Sequence, residues 1–335
     1  MNKNQKWISS GALLLIILIS IGLFALKGQN TNGAAVYDLE EVKLAINIVP
    51  NSALVFIAED KEYFAEEGLN IQYYSFPTGK LALDSLISGG ADIATTADIP
   101  ITLAGLAKQD ISVVATIEYS NNNIQVVARK DSGIYEPQDL IGKKIATTRG
   151  GGPLFFTYKF LEKYNIDINL VNLNPSDMVT ALIKGEIDAF IVFEPYPFLA
   201  TEEIGEEKVN VFSEPDLYGE TWNIVIMDEF NNENKGTVFK FINALVKAEQ
   251  YLNENPKESL EIVAKNTGLD VDVVSGIMKK QNFGVVLNNE LIGYLKEEAI
   301  WAIKQGLSSS NEIPNYIDVI NREYLLEINP EAVTI

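Results

Sequence analysis

The feature that most limits what this chain can fold into is an internal repeat. LISGGADIA (Leu86–Ala94) stands against LIKGEIDAF (Leu182–Phe190), each with Leu-Ile, then Gly, then Asp three residues after that Gly. The surroundings repeat in the same order. Val42–Val49 alternates and is rich in branched residues, which predicts a strand. A helix over Ala53–Glu67 ended by Gly68, a strand Leu69–Tyr74, a helix Thr78–Ser88 ended by Gly89-Gly90 and a strand Ala91–Thr95 follow. Further on, the pattern gives a strand Lys143–Thr148, a helix Pro153–Tyr164, a strand Ile166–Leu173, a helix Ser176–Ile183 and a strand Ile187–Phe193. Ser176 and Asp177 are the expected N-caps of the second of these helices, and Gly185 is its C-cap.

Two βαβαβ halves imply an α/β protein of two Rossmann-like lobes, each a parallel sheet with right-handed crossovers. Ligands of such sheets bind beyond the carboxyl ends of the strands. That rule selects the loops Pro50–Ser52, Phe76–Lys80 and Thr95–Asp98 in one half, and Thr148–Gly152, Asn174–Ser176 and Phe193–Pro195 in the other. Asn123–Lys130 and Trp222–Met227 are extended and flank the second half, so they are the expected crossover strands. Lobe 1 is then expected over 42–120 plus 225–335, and lobe 2 over 121–224. From Gly236 onward Leu, Ile and Val recur at three- and four-residue spacing. This predicts a helical C-terminal tail packed on lobe 1, over Thr237–Leu252, Lys257–Asn266, Val271–Lys280 and Asn289–Gln305.

Lys3 and Lys6 precede an apolar run from Trp7 to Leu26, followed by Lys27 and a polar stretch to Gly33. Residues 1–35 therefore read as a secretory signal peptide, cleaved after the small residues Gly33-Ala34-Ala35, or as a retained membrane anchor. Either way the folded part is expected outside the cytoplasm.

Composition closes several routes. There is no cysteine, hence no thiol nucleophile, no Cys-bound metal and no cysteine-linked lipid. There is no histidine either, which removes Ser–His–Asp triads, imidazole bases and His-ligated metals. No cofactor and no metal are expected. A formal net charge of −20 argues against nucleic acid, whose phosphates need concentrated Lys and Arg.

FAEEGLNIQ (Phe64–Gln72), LISGGADIATTADIP (Leu86–Pro100), VVARKDSGIYEPQDLIGKKIA (Val126–Ala146) and GEIDAFIVFEPY (Gly185–Tyr196) resemble the substrate-binding proteins of ABC importers for nitrate, taurine and alkanesulfonates, and the related thiamine-pyrimidine (NMT1/THI5-like) binders. The resemblance runs in order over residues 42 to 230. It implies a periplasmic-binding-protein type II fold, capture of a small solute in the interlobe cleft, hinge closure and docking on an ABC permease. The family's fungal pyrimidine-synthase branch supplies a histidine as substrate, so this chain falls outside that branch.

Candidate ligand contacts follow from the loops and the resemblance. Arg149-Gly150-Gly151-Gly152 precedes a helix, where free amides and the helix dipole attract anions. Family members often carry Gly-Ser-Ser there, so two hydroxyl donors are missing, and the loop is otherwise a tight turn. Arg149 is either a ligand partner or solvent-exposed. Thr96-Ala97-Asp98 matches a Thr-Gly-Asp segment of alkanesulfonate-type members, which gives Thr96 and the Ala97 amide as donors; Asp98 joins them or caps the helix at Pro100. Asn51 and Ser52 occupy the family's first polar contact, and Thr78 stands on the next loop. Glu194 sits where the family has Trp-Asp-Pro or Trp-Glu-Pro and is read as a partner of a ligand amine or of a lobe-closing cation. Tyr119, Tyr218 and Trp222 lie near the crossovers, to stack on a flat ligand or to fill the core.

The expectation is a monomeric, non-catalytic, extracytoplasmic solute receptor for a small anionic or zwitterionic organic molecule of the sulfonate, taurine or nitrate class. The alternatives are a thiamine-precursor pyrimidine or other heteroaromatic as ligand, and a membrane-anchored sensor ectodomain.

Overall fold

The computed structural model describes Leu39–Ile335. The expected signal or anchor at 1–35 lies outside the described residues. Among the described residues no helix is long and apolar enough to cross a membrane.

Two sheets form. The first contains β1 (Glu40–Asn47), β2 (Leu69–Phe76), β3 (Ile93–Ala97), β4 (Ile111–Ser120), β10 (Glu220–Met227) and β11 (Asn282–Val286), in the order β11-β4-β10-β3-β1-β2. The second contains β5 (Ile124–Arg129), β6 (Lys144–Thr147), β7 (Asn169–Asn172), β8 (Ala189–Phe193) and β9 (Val209–Phe212), in the order β7-β6-β8-β5-β9. The repeat is visible in the pairing. β1 runs parallel to β2 and β3, and β6 parallel to β7 and β8. One antiparallel strand is inserted beside the third strand of each set: β10 against β3, β5 against β8. The chain passes between the sheets twice, through 121–123 into β5 and through 213–219 into β10.

The helices α1 (Ala53–Asp60), α2 (Tyr63–Glu66), α3 (Gly79–Ile87) and α4 (Asp98–Leu106) belong to the first repeat, and α5 (Gly152–Tyr164), α6 (Pro175–Ile183) and α7 (Tyr196–Ile204) to the second. α8 (Asp228–Glu233) and α9 (Lys235–Glu254) follow β10. α10 (Pro256–Thr267), α11 (Val271–Met278), α12 (Asn289–Lys304) and α13 (Glu323–Ile328) make up most of the tail.

Four details depart from the sequence pattern. The helix expected over Ala53–Glu67 breaks at Glu62, a non-glycine residue in the left-handed region (φ 60°); beyond the break Phe64 stacks on Phe241 of α9, ring centroids 4.9 Å apart. α6 begins at Pro175 with Asn174 as N-cap rather than Ser176 or Asp177, because proline suits a helix's first position. The tail is not wholly helical: β11 pairs antiparallel with β4. β4 and β9 also stand outside the repeat.

Strand alternation sorts the core. Phe190 and Val192 of β8 pack with Met178 and Leu182 of α6, while Ala189 and Ile191 face the other way, into the cluster that holds Phe155, Phe156 and Phe160 of α5. That larger cluster runs on into the first sheet. Its bridge is Phe155, edge-on to Trp301 of α12 (5.0 Å) and to Tyr218 (5.3 Å). α5 is thereby packed against both halves, with its N-terminus aimed between the sheets.

Candidate functional site

A cavity of about 50 Å³ lies where the carboxyl ends of the parallel strands of both sheets meet. All the loops selected from the repeat contribute to its wall except Asn174–Ser176.

On the first-sheet side, β1 ends in Asn47, whose Nδ2 donates to Phe76 O at 2.9 Å and ties the ends of β1 and β2 together. The short turn Pro50–Ser52 then presents Asn51, whose Nδ2 donates to the buried Glu118 Oε2 at 2.8 Å. Ser52 is fully buried behind the wall. Its hydroxyl donates to Asn47 O and accepts from Trp222 Nε1 at 3.0 Å, which fixes the indole against the cavity. Thr78 caps α3, its Oγ1 accepting from Leu81 N, and lines the cavity with Gly79 and Lys80. Gly79 has no room for a side chain: a Cβ would fall 2.8 Å from the Trp222 ring.

On the second-sheet side the loop after β6 brings Thr148, Arg149, Gly151 and Gly152 to the cavity. Gly150 turns the chain in the left-handed region (φ +75°), and the Lys80 stem crosses from the first half to lie over it, 3.2 Å from where its Cβ would be. The two halves therefore touch at the mouth. Arg149 is exposed there, and Lys80 Nζ pairs with Asp84 at 2.5 Å. Gly151 caps α5 with no side-chain hydrogen bond. Pro153 removes one first-turn donor, and Leu154 N is used by Gly151 O, so the anion-attracting end of α5 is narrower than its glycines suggest.

What faces that end is a carboxylate. Glu220, first residue of β10, is 4% exposed, and its Oε1 stands 2.7 Å from where a Cβ on Gly152 would be. Its Oε2 accepts from Asn123 Nδ2. Burial and then the charge of Asp98 push its pKa up to about 8, against the pull of the Asn123 bond. Glu118, behind Asn51, is raised well above the ordinary range, first by burial and then by Glu220. Among the described residues two acceptors near this wall, Asn123 Oδ1 and Glu118 Oε1, are buried without a partner.

Apart from Ala97, the remaining sequence candidates do not line the cavity. Ala97 lines it, but Thr96 is fully buried beneath Gly79 with its Oγ1 unpartnered. Asp98 is buried and saturated, accepting from Ile99 N, Tyr218 Oη, Thr221 N and Thr221 Oγ1. Tyr218 is the core partner of Asp98 and Phe155. Tyr119 stacks on Tyr294 of α12 (6.3 Å, 4°). Glu194, 1% exposed, accepts from Lys280 Nζ at 2.9 Å and from Phe198 N, joining the end of β8 to the segment after α11. Lys280 is the protein cation of its second reading.

Glu220, Asn123, Asn47, Lys80 and Phe193 are cavity residues that motif reasoning passed over. For Glu220 a signal existed: it is two residues from Trp222 on one strand, and such residues share a face.

A family model described as NMT1/THI5 like matches residues 49–259. The chain belongs to this family. It is 24% identical over 278 residues to the taurine-binding periplasmic protein of Escherichia coli (strain K12), covering 77% of this chain and 85% of that one. The alkanesulfonate-binding protein SsuA of Xanthomonas axonopodis pv. citri, solved bound to MOPS, superposes with a TM-score of 0.73 at 19% identity, over 85% of this chain and 99% of that one. The periplasmic nitrate-binding protein NrtA of Synechocystis PCC 6803 superposes with a TM-score of 0.69 at 14% identity, over 88% and 89%. These likenesses establish the periplasmic-binding-protein fold of this NMT1/THI5-like chain.

Proposed function

We propose that this NMT1/THI5-like protein is the solute-binding receptor of an ABC importer. It works outside the cytoplasm as a monomer, takes a small anionic or zwitterionic organic solute into the interlobe cavity, and presents it to a permease. It is not an enzyme: its role is capture and release. The observation that carries this reading is the cavity itself. It sits where strand ends of both halves converge, is walled by loops from each, and is covered by Lys80 lying over Gly150. Arg149 and Lys80 offer the positive side for a sulfonate or carboxylate. The names of the relatives, which bind taurine, alkanesulfonates and nitrate, point the same way.

A second reading, an amino-substituted heteroaromatic ligand, is favoured by Trp222 and Phe193, which bring aromatic surface to the cavity.

The test is a thermal-shift panel on purified protein stripped of bound ligand by unfolding and refolding. It contains taurine, ethanesulfonate, nitrate, aminopyrimidines and amino acids. A solute that binds only the folded state stabilises it by about 2.7 kcal/mol at a hundred times its Kd. A rise in Tm with a sulfonate or an aminopyrimidine is expected. A flat response across the panel contradicts the proposal.

A further inference from the structure

We infer that Glu220, held by Asn123, is the specificity-determining residue of this cavity and that it selects ligands bearing an N–H-rich, cationic nitrogen over the same ligands without one. The inference rests on the receptor reading above and narrows it to amino solutes.

A buried polar atom without a partner costs on the order of 1–3 kcal/mol, more when charged, so a ligand that supplies the missing hydrogens is favoured. Two acceptors around Glu220 are buried without a partner, Asn123 Oδ1 beside it and Glu118 Oε1 behind Asn51, and Glu220 itself lines the cavity with Asn123 as its one side-chain partner. An ammonium carries three donors and no acceptor. A bare sulfonate or nitrate brings only more acceptors. At this wall the end of α5 already faces the Glu220 carboxyl across Gly152, which leaves it no open side for such an anion. An anionic tail is directed instead to the mouth, where Arg149 and Lys80 stand.

The charges around Glu220 agree. Glu118 on β4 and Asp98 at the start of α4 press on it, and Tyr218 on the segment before β10 is hydrogen-bonded to Asp98. Glu298 on α12 lies beyond Asp98 and adds no positive charge. The cations at this cavity, Lys80 and Arg149, are at its mouth. An empty site therefore keeps Glu220 protonated at neutral pH, and an arriving ammonium drives it to ionise and release its proton.

The experiment uses matched pairs: taurine against ethanesulfonate, homotaurine against propanesulfonate, and a 4-aminopyrimidine against the pyrimidine lacking the amine. Each is titrated calorimetrically into wild type, E220Q and N123A in buffers of differing ionisation enthalpy. The expected result is that the amino member binds tighter by on the order of 100-fold, and that E220Q abolishes the difference. Near pH 7, about one proton is released per ammonium bound, and none by E220Q. That release separates an ammonium ligand from a neutral aminopyrimidine. N123A, which leaves the charge in place, is expected to weaken the amino member by a smaller factor. Equal or tighter binding of the amine-free member, or an unaltered preference in E220Q, overturns the inference while the receptor reading stands. Absence of binding by every pair overturns both.

Discussion

Glu194 and Glu220 are both buried carboxylates at the ends of strands, and they have opposite surroundings. Glu194 at the end of β8 receives the Lys280 ammonium and a backbone amide from α7. Glu220 at the start of β10 receives one side-chain amide and faces Asp98 and Glu118. Burial raises the pKa of each; Lys280 pulls Glu194 back, whereas nothing comparable restrains Glu220. Burial of a charge alone does not mark a site. A charge whose counter-ion the protein omits, on the wall of a cavity, does.

The contrast can be broken from either side. The largest effect is expected from Lys280→Met, which strands a buried carboxylate. Denaturant unfolding should show a loss on the order of 3 kcal/mol. Glu220→Gln should do the reverse and stabilise the empty protein at pH 8, since it deletes a charge with no partner. Equal losses in both variants would erase the distinction.

Next in size is Gly152→Ala. A Cβ there would lie 2.7 Å from Glu220 Oε1 and 3.0 Å from both Ile124 and Tyr218. Overpacking of this kind costs about 1–3 kcal/mol and should weaken ligand binding as well. Unchanged affinity in calorimetry would place the ligand elsewhere.

The pH dependence follows with its sign. Folded Glu220 holds its proton to about pH 8, while the unfolded side chain loses it near 4.5. The folded state therefore binds more protons in this window, and stability contributed by this group falls as pH rises from about 5 to 8, by at most ~1.4 kcal/mol per pH unit. Comparing urea midpoints across that range, the decline should be shallower in E220Q; parallel slopes would contradict the assignment.

The smallest effect is expected from Trp222→Phe. Losing the Nε1 bond to Ser52 should cost about 1 kcal/mol and loosen the cavity wall. No change in stability or affinity would mean the indole is not held by that bond.

The repeat was legible because buried parallel strands and Gly-terminated helices leave local signatures. β1 to β3, β6 to β8 and the connecting helices follow from them. β11 was not legible: it is a five-residue strand containing Gly284, and it is held by non-local contacts, its pairing with β4 and the Val285 N bond to Glu249 of α9. The break at Glu62 escaped because no glycine marks that left-handed residue. In the site, the loops were legible and the side-chain directions were not. Ala97 reaches the cavity and its neighbour Thr96 turns away, because consecutive residues of a strand point to opposite faces. Asp98 was read as a ligand contact or a cap, yet its lone pairs are filled by Tyr218 and Thr221, which are distant in sequence. Glu220 lies outside the strand expected over Trp222–Met227, and only the fold brings Asn123 and Gly152 to it.

A crystal structure of the protein with the amino solute that raises its Tm most decides whether Glu220 holds the ligand nitrogen. The ligand is expected in the interlobe cavity, with its nitrogen about 3 Å from a Glu220 carboxylate oxygen and any sulfonate or carboxylate toward Arg149 and Lys80. A ligand seated outside this cavity, or one that turns its anionic end to Glu220, would contradict that placement.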